Sequence, residues 1–203
     1  MTRHLDALAQ MKKTLAQQVN LSIEDWEKID YDLKVMEVPG KYLLQAAGKK
    51  VTHHYFVVSG LVRLYYPTVE GKELNKAFYG ENYIVGNLSA PLLDEPSRFA
   101  VETLEPCVLV ELPLMQVQKL SDLSPAWGRL LLRSYQMMMI RNERREAELL
   151  TMTAKQRFLQ FVRNFPDYLT RIPQYHIASY LGITPVALSK FKKQWLEESD
   201  KRH

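Results

Sequence analysis

Between residues 5 and 34 apolar positions recur at helical spacing, with Leu5, Leu8, Met11, Leu15 and Val19 on one stripe. Ser22 stands three residues ahead of Asp25 and predicts a capped second helix over IEDWEKIDYDL. From Val35 to Leu112 the period falls towards two. Short runs (KVMEVPGKYLL, YFVVSGLVRLYYP, KELNKAFYG, RFAVETLEPCVLVEL) are broken at Pro39-Gly40, Ser59-Gly60 and Glu70-Gly71. Closely spaced short strands with no long helix between them predict an antiparallel barrel or jelly roll.

After Pro113 the helical period returns. From Pro125 to about Leu150 there is no Gly beyond Gly128 and no Pro, which predicts one helix of about 36 Å. Trp127, Leu131, Tyr135 and Met138 (with Met139) form its apolar stripe, and IRNERREAELL is its charged second half. Such a stripe suits a dimer seam, a core contact against the barrel, or both on different faces. Leu149 to Met152 reads as a hinge, followed by a helical unit holding TAKQRFLQFVRNF and a break at Pro166 and Pro173. The expected organisation is a β-domain with N-terminal helices over 1–124, a long helix over 125–150 and a small helical domain over 151–203, an α+β architecture.

Composition narrows the classes. Of 203 residues, 46% are hydrophobic, which is enough for a real core, and the formal charge of +4 suits an anionic partner without requiring one. One cysteine, Cys107, excludes an intramolecular disulfide, a cysteine-rich zinc site and a four-thiolate cluster; in a strand-like run it reads as a small core residue. MTRHLDALAQMKK has no apolar run for a signal peptide or membrane helix, so a cytoplasmic protein is expected.

The most specific pattern is QYHIASYLGITPVALSKFKK, residues 174–193. Ala178 suits the close approach of two crossed helices, and Gly182, four residues on, suits the positive φ of the turn. Ile177, Leu181, Ile183, Leu188 and Phe191 take the inward offsets. Thr184 is a good N-cap and Pro185 a favoured first helical residue. The outward face would carry Thr184, Val186, Ser189, Lys190, Lys192 and Lys193. Ser189 and Lys190 are candidate base readers, while Thr184, Lys192, Lys193 and Arg171 suit phosphates. Double-stranded DNA is the implied partner.

At this point nearly the whole chain, from about Leu15 to Trp195, resembles the Crp/Fnr family of bacterial transcription regulators. The likeness rests on YFVVSGLVRLYYPTVEGKE, the loop GNLSAPLLDEPSRFAVETLEPC, the long helix and the terminal PQYHIASYLGITPVALSKFKK, in that order. TAKQRFLQFVRNFPDYLTRIPQYHIASYLGIT looks most like the branch common in Bacteroidetes. The resemblance implies a cyclic-nucleotide-binding-type double-stranded β-helix, a dimerisation helix and a winged helix-turn-helix. It also implies a homodimer acting with RNA polymerase under a small-molecule effector, with no enzymatic activity and no membrane.

The departures carry weight too. Members that bind cyclic AMP place Gly-Glu in the phosphate loop, the Glu on the ribose hydroxyl, and an Arg ten residues later on the phosphate. Here the pair is Gly86-Asn87, and ten residues after Asn87 stands Ser97. Arg98 comes one position later, on the other face of an extended strand unless the register slips. The resemblance therefore implies a domain that does not hold cyclic AMP in the usual way, and no cofactor. Pro185, Val186 and Lys190 stand where relatives commonly carry Arg, Glu and Arg, so the target site is not transferable. The chain also ends too soon after Trp195 for a wing on that side.

The His53-His54 pair precedes a strand and reads as exposed or loop-facing. Tyr65, Tyr66, Tyr79 and Tyr83 suit either a ligand pocket or sheet packing. Two other functions remain open: a small-molecule-binding or cupin-like barrel using His53, His54, Glu81 and Glu102, and a regulator freed from ligand control.

Overall fold

The computed structural model describes residues 2–200. Helix α1 (Thr2–Ala16) takes the predicted stripe, burying Met11 and Leu15 while Leu5 stays at the surface. Ser22 and Asp25 form a reciprocal capping box, yet α2 (Ile23–Glu27) is only five residues long. A 3-10 turn at Asp30–Asp32 replaces the rest of the expected helix, because the chain is already extended at Leu33 to enter the first strand.

Among the described residues eight strands follow: β1 (Lys34–Val38), β2 (Leu43–Gln45), β3 (His53–Ser59), β4 (Val62–Pro67), β5 (Glu73–Tyr79), β6 (Ile84–Val85), β7 (Ala100–Thr103) and β8 (Cys107–Pro113). A short helix α3 (Ser89–Leu92) lies between β6 and β7. The strands make two four-stranded sheets, ordered β1-β8-β3-β6 and β2-β7-β4-β5. Apart from β4 and β5, neighbours are not consecutive in the chain, as in a jelly roll; β8, for example, pairs antiparallel with both β1 and β3.

Side-chain alternation divides β3 and β8 between two cores. Tyr55, Val57, Cys107 and Leu109 point into the core shared by both sheets. Phe56, Val110 and Leu112 point the other way, beneath Met11, Leu15, Trp26 and the helices that follow the barrel. His54 shares that second face and is only 4% exposed, so the expected surface histidine is a buried one. The physical reason is that this sheet is covered on both sides.

Helix α4 (Leu114–Leu123) leads into α5 (Pro125–Thr151), which at 27 residues spans about 40 Å. Trp127, placed by its spacing on a dimer seam, is instead a core residue. It is 1% exposed, meets Trp26 edge to face at 5.3 Å and donates its indole N–H to the Asp25 carbonyl at 3.1 Å. Leu131, Tyr135 and Met138 are half-buried, whereas Leu132, Met139 and Leu150 are exposed. The apolar stripe read from sequence is therefore the face turned to the core, and a second, exposed stripe lies about a quarter-turn round the helix from it.

The last elements are α6 (Ala154–Asn164), α7 (Tyr168–Arg171), α8 (Gln174–Leu181) and α9 (Pro185–Asp200). Thr153 opens α6 with a capping box to Gln156. Among the described residues no strand follows β8, so the expected wing is missing there and the short helix α7 occupies the Pro166–Pro173 break.

The chain divides into two compact units. One runs through Pro67 and resumes over Ala77–Met139; the other joins Thr68–Lys76 to the chain from Ile140 onward. This division cuts across the three segments expected from period alone.

Candidate nucleic-acid interface

The corner between α8 and α9 is built from local rules. Gly182 adopts φ +66°, ψ 40°, a left-handed conformation that favours glycine. The Ile183 N–H reaches back to the Ala178 carbonyl at 3.0 Å and the Gly182 N–H to the Ser179 carbonyl at 3.2 Å, a Schellman arrangement. Two carbonyls at the end of α8 remain, and arginines from other helices take them. Arg145 on α5 donates to the Tyr180 carbonyl and stacks on that tyrosine ring at 4.0 Å. Arg157 on α6 donates to the Leu181 carbonyl at 2.9 Å. All four final carbonyls of α8 are thereby satisfied.

Thr184 then starts α9: its hydroxyl oxygen accepts the Ala187 N–H at 3.2 Å, and Pro185 takes the first helical position. Ile177, Ala178, Leu181 and Leu188 are fully buried between the helices, with Phe158 and Phe161 of α6 behind them. Ile183 and Phe191 are half-buried, and the Phe191 ring lies 6.1 Å from Phe158.

The outer face of α9 bears Thr184, Pro185, Val186, Ser189, Lys190 and Lys193, all exposed. Lys193 has only a loose approach to Glu197, at 3.9 Å. Lys192 and Arg171 are half-buried, less fully displayed than the sequence suggests. The face thus combines a short-side-chain centre, which permits close approach to a partner surface, with flanking ammonium groups suited to anions.

In the same unit the Thr68–Lys76 segment meets α8. Ser179 Oγ accepts the Asn75 backbone N–H and donates to the Glu73 carbonyl, both at 3.0 Å. Asn75 Nδ2 donates to the His176 carbonyl at 3.3 Å and lies 3.2 Å from Nδ1 of that ring. Burial and the nearby Arg141 both lower the Lys76 pKa, burial being the larger cause.

The β-domain cassette expected to bind an effector brings Gly86, Asn87 and Ser97 together but not Arg98. Asn87 and Ser97 are 3% and 1% exposed. Asn87 Nδ2 donates to Ser97 Oγ at 3.0 Å, and that hydroxyl donates onward to the Phe99 carbonyl at 2.7 Å. Asn87 Oδ1 accepts from Ser89 N, Ser89 Oγ and Ala90 N, fastening the start of α3. Arg98 turns to solvent beside Glu95, at 3.0 Å. The two positions that face each other carry no charge and use their polar atoms on the protein itself.

Gly86 lies against His54; a Cβ there would come within 2.3 Å of the ring. His54 Nε2–H donates to the Asn87 carbonyl at 3.2 Å. Burial pushes the His54 pKa down, against the raising effect of that carbonyl, and His53 lowers it further. The other residues of the barrel-enzyme alternative are engaged separately: Glu81 accepts the Gly60 N–H at 3.0 Å, Glu102 pairs with Arg63 at 2.7 Å, and His53 meets the Thr52 hydroxyl at 2.9 Å. Among the described residues no group of three or more His, Cys, Asp or Glu converges on a metal position. Of the tyrosines, Tyr65 is buried beneath Arg63, Tyr66 packs edge-on to Phe99, and Tyr79 packs edge-on to Tyr83. Arg145 and Arg157 escaped the sequence reading because nothing near them announces a partner 24 or 35 positions away.

Residues 36–123 match the cyclic nucleotide-binding domain family. No curated protein matches the sequence. Among solved structures, FixK2 from Bradyrhizobium japonicum aligns with TM-score 0.75 at 18% identity, over 82% of this chain and 86% of that one. The c-di-GMP responsive global regulator CLP of Xanthomonas campestris aligns with TM-score 0.68 at 16% identity, over 88% and 93%. The Thermus thermophilus catabolite activator protein gives TM-score 0.52 at 23% identity, over 92% and 88%. At these identities the shared property is the fold, over 82% or more of this chain. Among the described residues no helix is long and apolar enough to cross a membrane.

Proposed function

We propose that this chain, which carries a cyclic nucleotide-binding domain within a Crp/Fnr fold, is a dimeric DNA-binding transcription regulator whose β-domain does not take cyclic AMP in the usual way. The observation that carries the reading is the α8–α9 corner. A Schellman turn, a threonine cap and a buried Ala178–Leu188 seam hold α9 with Ser189, Lys190 and Lys193 facing outward. A helix presented by such a turn enters the major groove with its N-terminal residues at the base edges. Ser189 and Lys190 are the readers; Thr184, Pro185 and Val186 shape the approach. Lys192, Lys193 and Arg171 contribute through phosphates, which set affinity rather than sequence. Two copies paired through α5 would read a palindrome, and RNA polymerase is the partner through which such a protein acts.

The uncharged, mutually bonded Asn87 and Ser97 argue against cyclic AMP, whose buried phosphate needs a charge-assisted partner. A fold neighbour is itself described as responsive to c-di-GMP, so this departure leaves room for a different effector. The same closed pair favours a second reading, a regulator independent of ligand; it shares the DNA chemistry of the first.

The test is selection of DNA from a random pool, with the salt dependence measured on the selected site. Lys190→Ala should change which sequences are enriched. Lys192→Ala should weaken all of them and flatten the salt slope by about one unit. If neither substitution affects binding, the assignment of α9 is wrong. Calorimetric titration with cyclic AMP should give no heat below millimolar concentration, and a micromolar constant would refute the reading of Asn87 and Ser97.

A further inference from the structure

Gln174 has no role in the face described so far, yet it is placed to control one of its readers. It is the first residue of α8, and Ser189 lies one turn into α9; both are exposed. Across fifteen residues of chain their side chains meet, Ser189 Oγ to Gln174 Oε1 at 3.3 Å. An amide oxygen only accepts, so the serine hydroxyl must donate.

We propose that Gln174 is a positioning residue for Ser189 that makes the serine an acceptor-only reader of base edges. A free serine hydroxyl rotates and offers either its proton or its lone pairs, which is why serine alone discriminates bases poorly. With the proton committed to Gln174, only lone pairs remain for a partner in the groove. In the major groove the matching groups are the exocyclic amines, adenine N6 and cytosine N4. The keto oxygens of guanine and thymine meet an acceptor and are disfavoured. The chemical class that this pair selects is therefore an amino-bearing base at one position of each half-site.

The geometry suits the task. Both side chains stand on helices fixed to each other by the buried Ala178–Leu188 seam and the Gly182 turn, so their spacing does not depend on a loop. In water a bond of 3.3 Å between exposed groups orders little. Once a groove excludes solvent, an unsatisfied hydroxyl becomes costly and the committed direction decides the partner. Gln174 is uncharged, so it adds specificity without adding counterion release.

This inference rests on α9 reading DNA, and the experiment separates the two. Pool selection is run with the full-length protein, Gln174→Ala, Ser189→Ala, the double variant and Gln174→Glu. Each single alanine variant should lose the preference for an amino-bearing base at one shared position, roughly fivefold. The double variant should lose no more than either single one, and the salt slope should stay unchanged. Gln174→Glu, which still accepts the hydroxyl proton, should keep the preference while binding all sequences more weakly. A Gln174→Ala protein that keeps the base preference but loses affinity uniformly would make Gln174 a phosphate contact and overturn the proposal. A native protein that enriches no sequence overturns the DNA reading, and this proposal with it.

Discussion

His54 shows how much one side chain can depend on its surroundings. It lies beneath the helices that cover one sheet, with Gly86 against its ring and the Asn87 carbonyl as a partner. Because burial depresses its pKa below the ordinary 6.5, the unfolded chain binds this proton more readily than the folded one. The contribution of the neutral ring to stability is thus present above pH 6.5 and is lost as pH falls through and below that value. Urea unfolding at stepped pH should show the native protein weakening across that range, and His54→Gln should flatten the dependence there. An identical pH profile for both proteins would mean that the ring is not held neutral.

At the scale of elements, two helices make separate claims. The end of α8 is sealed by Arg145 and Arg157, drawn from α5 and α6. Replacing Arg157 with Met keeps much of its apolar stem but leaves the Leu181 carbonyl without its charged donor. A loss of about 1.5–3 kcal/mol is expected for the C-terminal unit in denaturant titration; a loss below about 0.5 kcal/mol would show that water replaces the guanidinium at no cost. Helix α5 presents Leu132 and Met139 to solvent at 56% and 61% exposure, seven residues apart on one face. The double substitution Leu132→Glu, Met139→Glu should convert a dimer into a monomer in sedimentation, with thermal stability of the isolated protomer nearly unchanged. A dimer that survives it would place the seam elsewhere.

For the whole molecule, the prediction joins symmetry to charge. A two-fold dimer asks for a palindrome with half-site centres about 34–36 Å apart, one turn of the duplex. Gel-shift titration against a selected site should show that inserting five base pairs between half-sites abolishes tight binding while inserting ten largely preserves it. Equal tolerance of both insertions would mean that the two reading helices act independently. The modest net charge of +4 is spread over 27 basic and 23 acidic residues. On the proposed reading, affinity should therefore follow where α9 displays its lysines and not bulk attraction.

The sequence by itself determined the features whose causes lie within a few residues. Ser22 with Asp25, the Gly60 and Gly71 turns, and the corner from Ala178 through Gly182 to Thr184 and Pro185 each satisfy or bend backbone next to them. Short-range rules suffice there. The strand runs were legible too, because their apolar composition marks sheet burial whatever the partner strand. Only the tertiary structure decided which stripe of α5 is free, that Trp127 and His54 are interior, that Asn87 bonds Ser97, and that Arg145, Arg157 and Gln174 find partners on other helices. Those outcomes depend on what lies across a packed interface, and side-chain spacing along one element carries no information about the surface that will cover it.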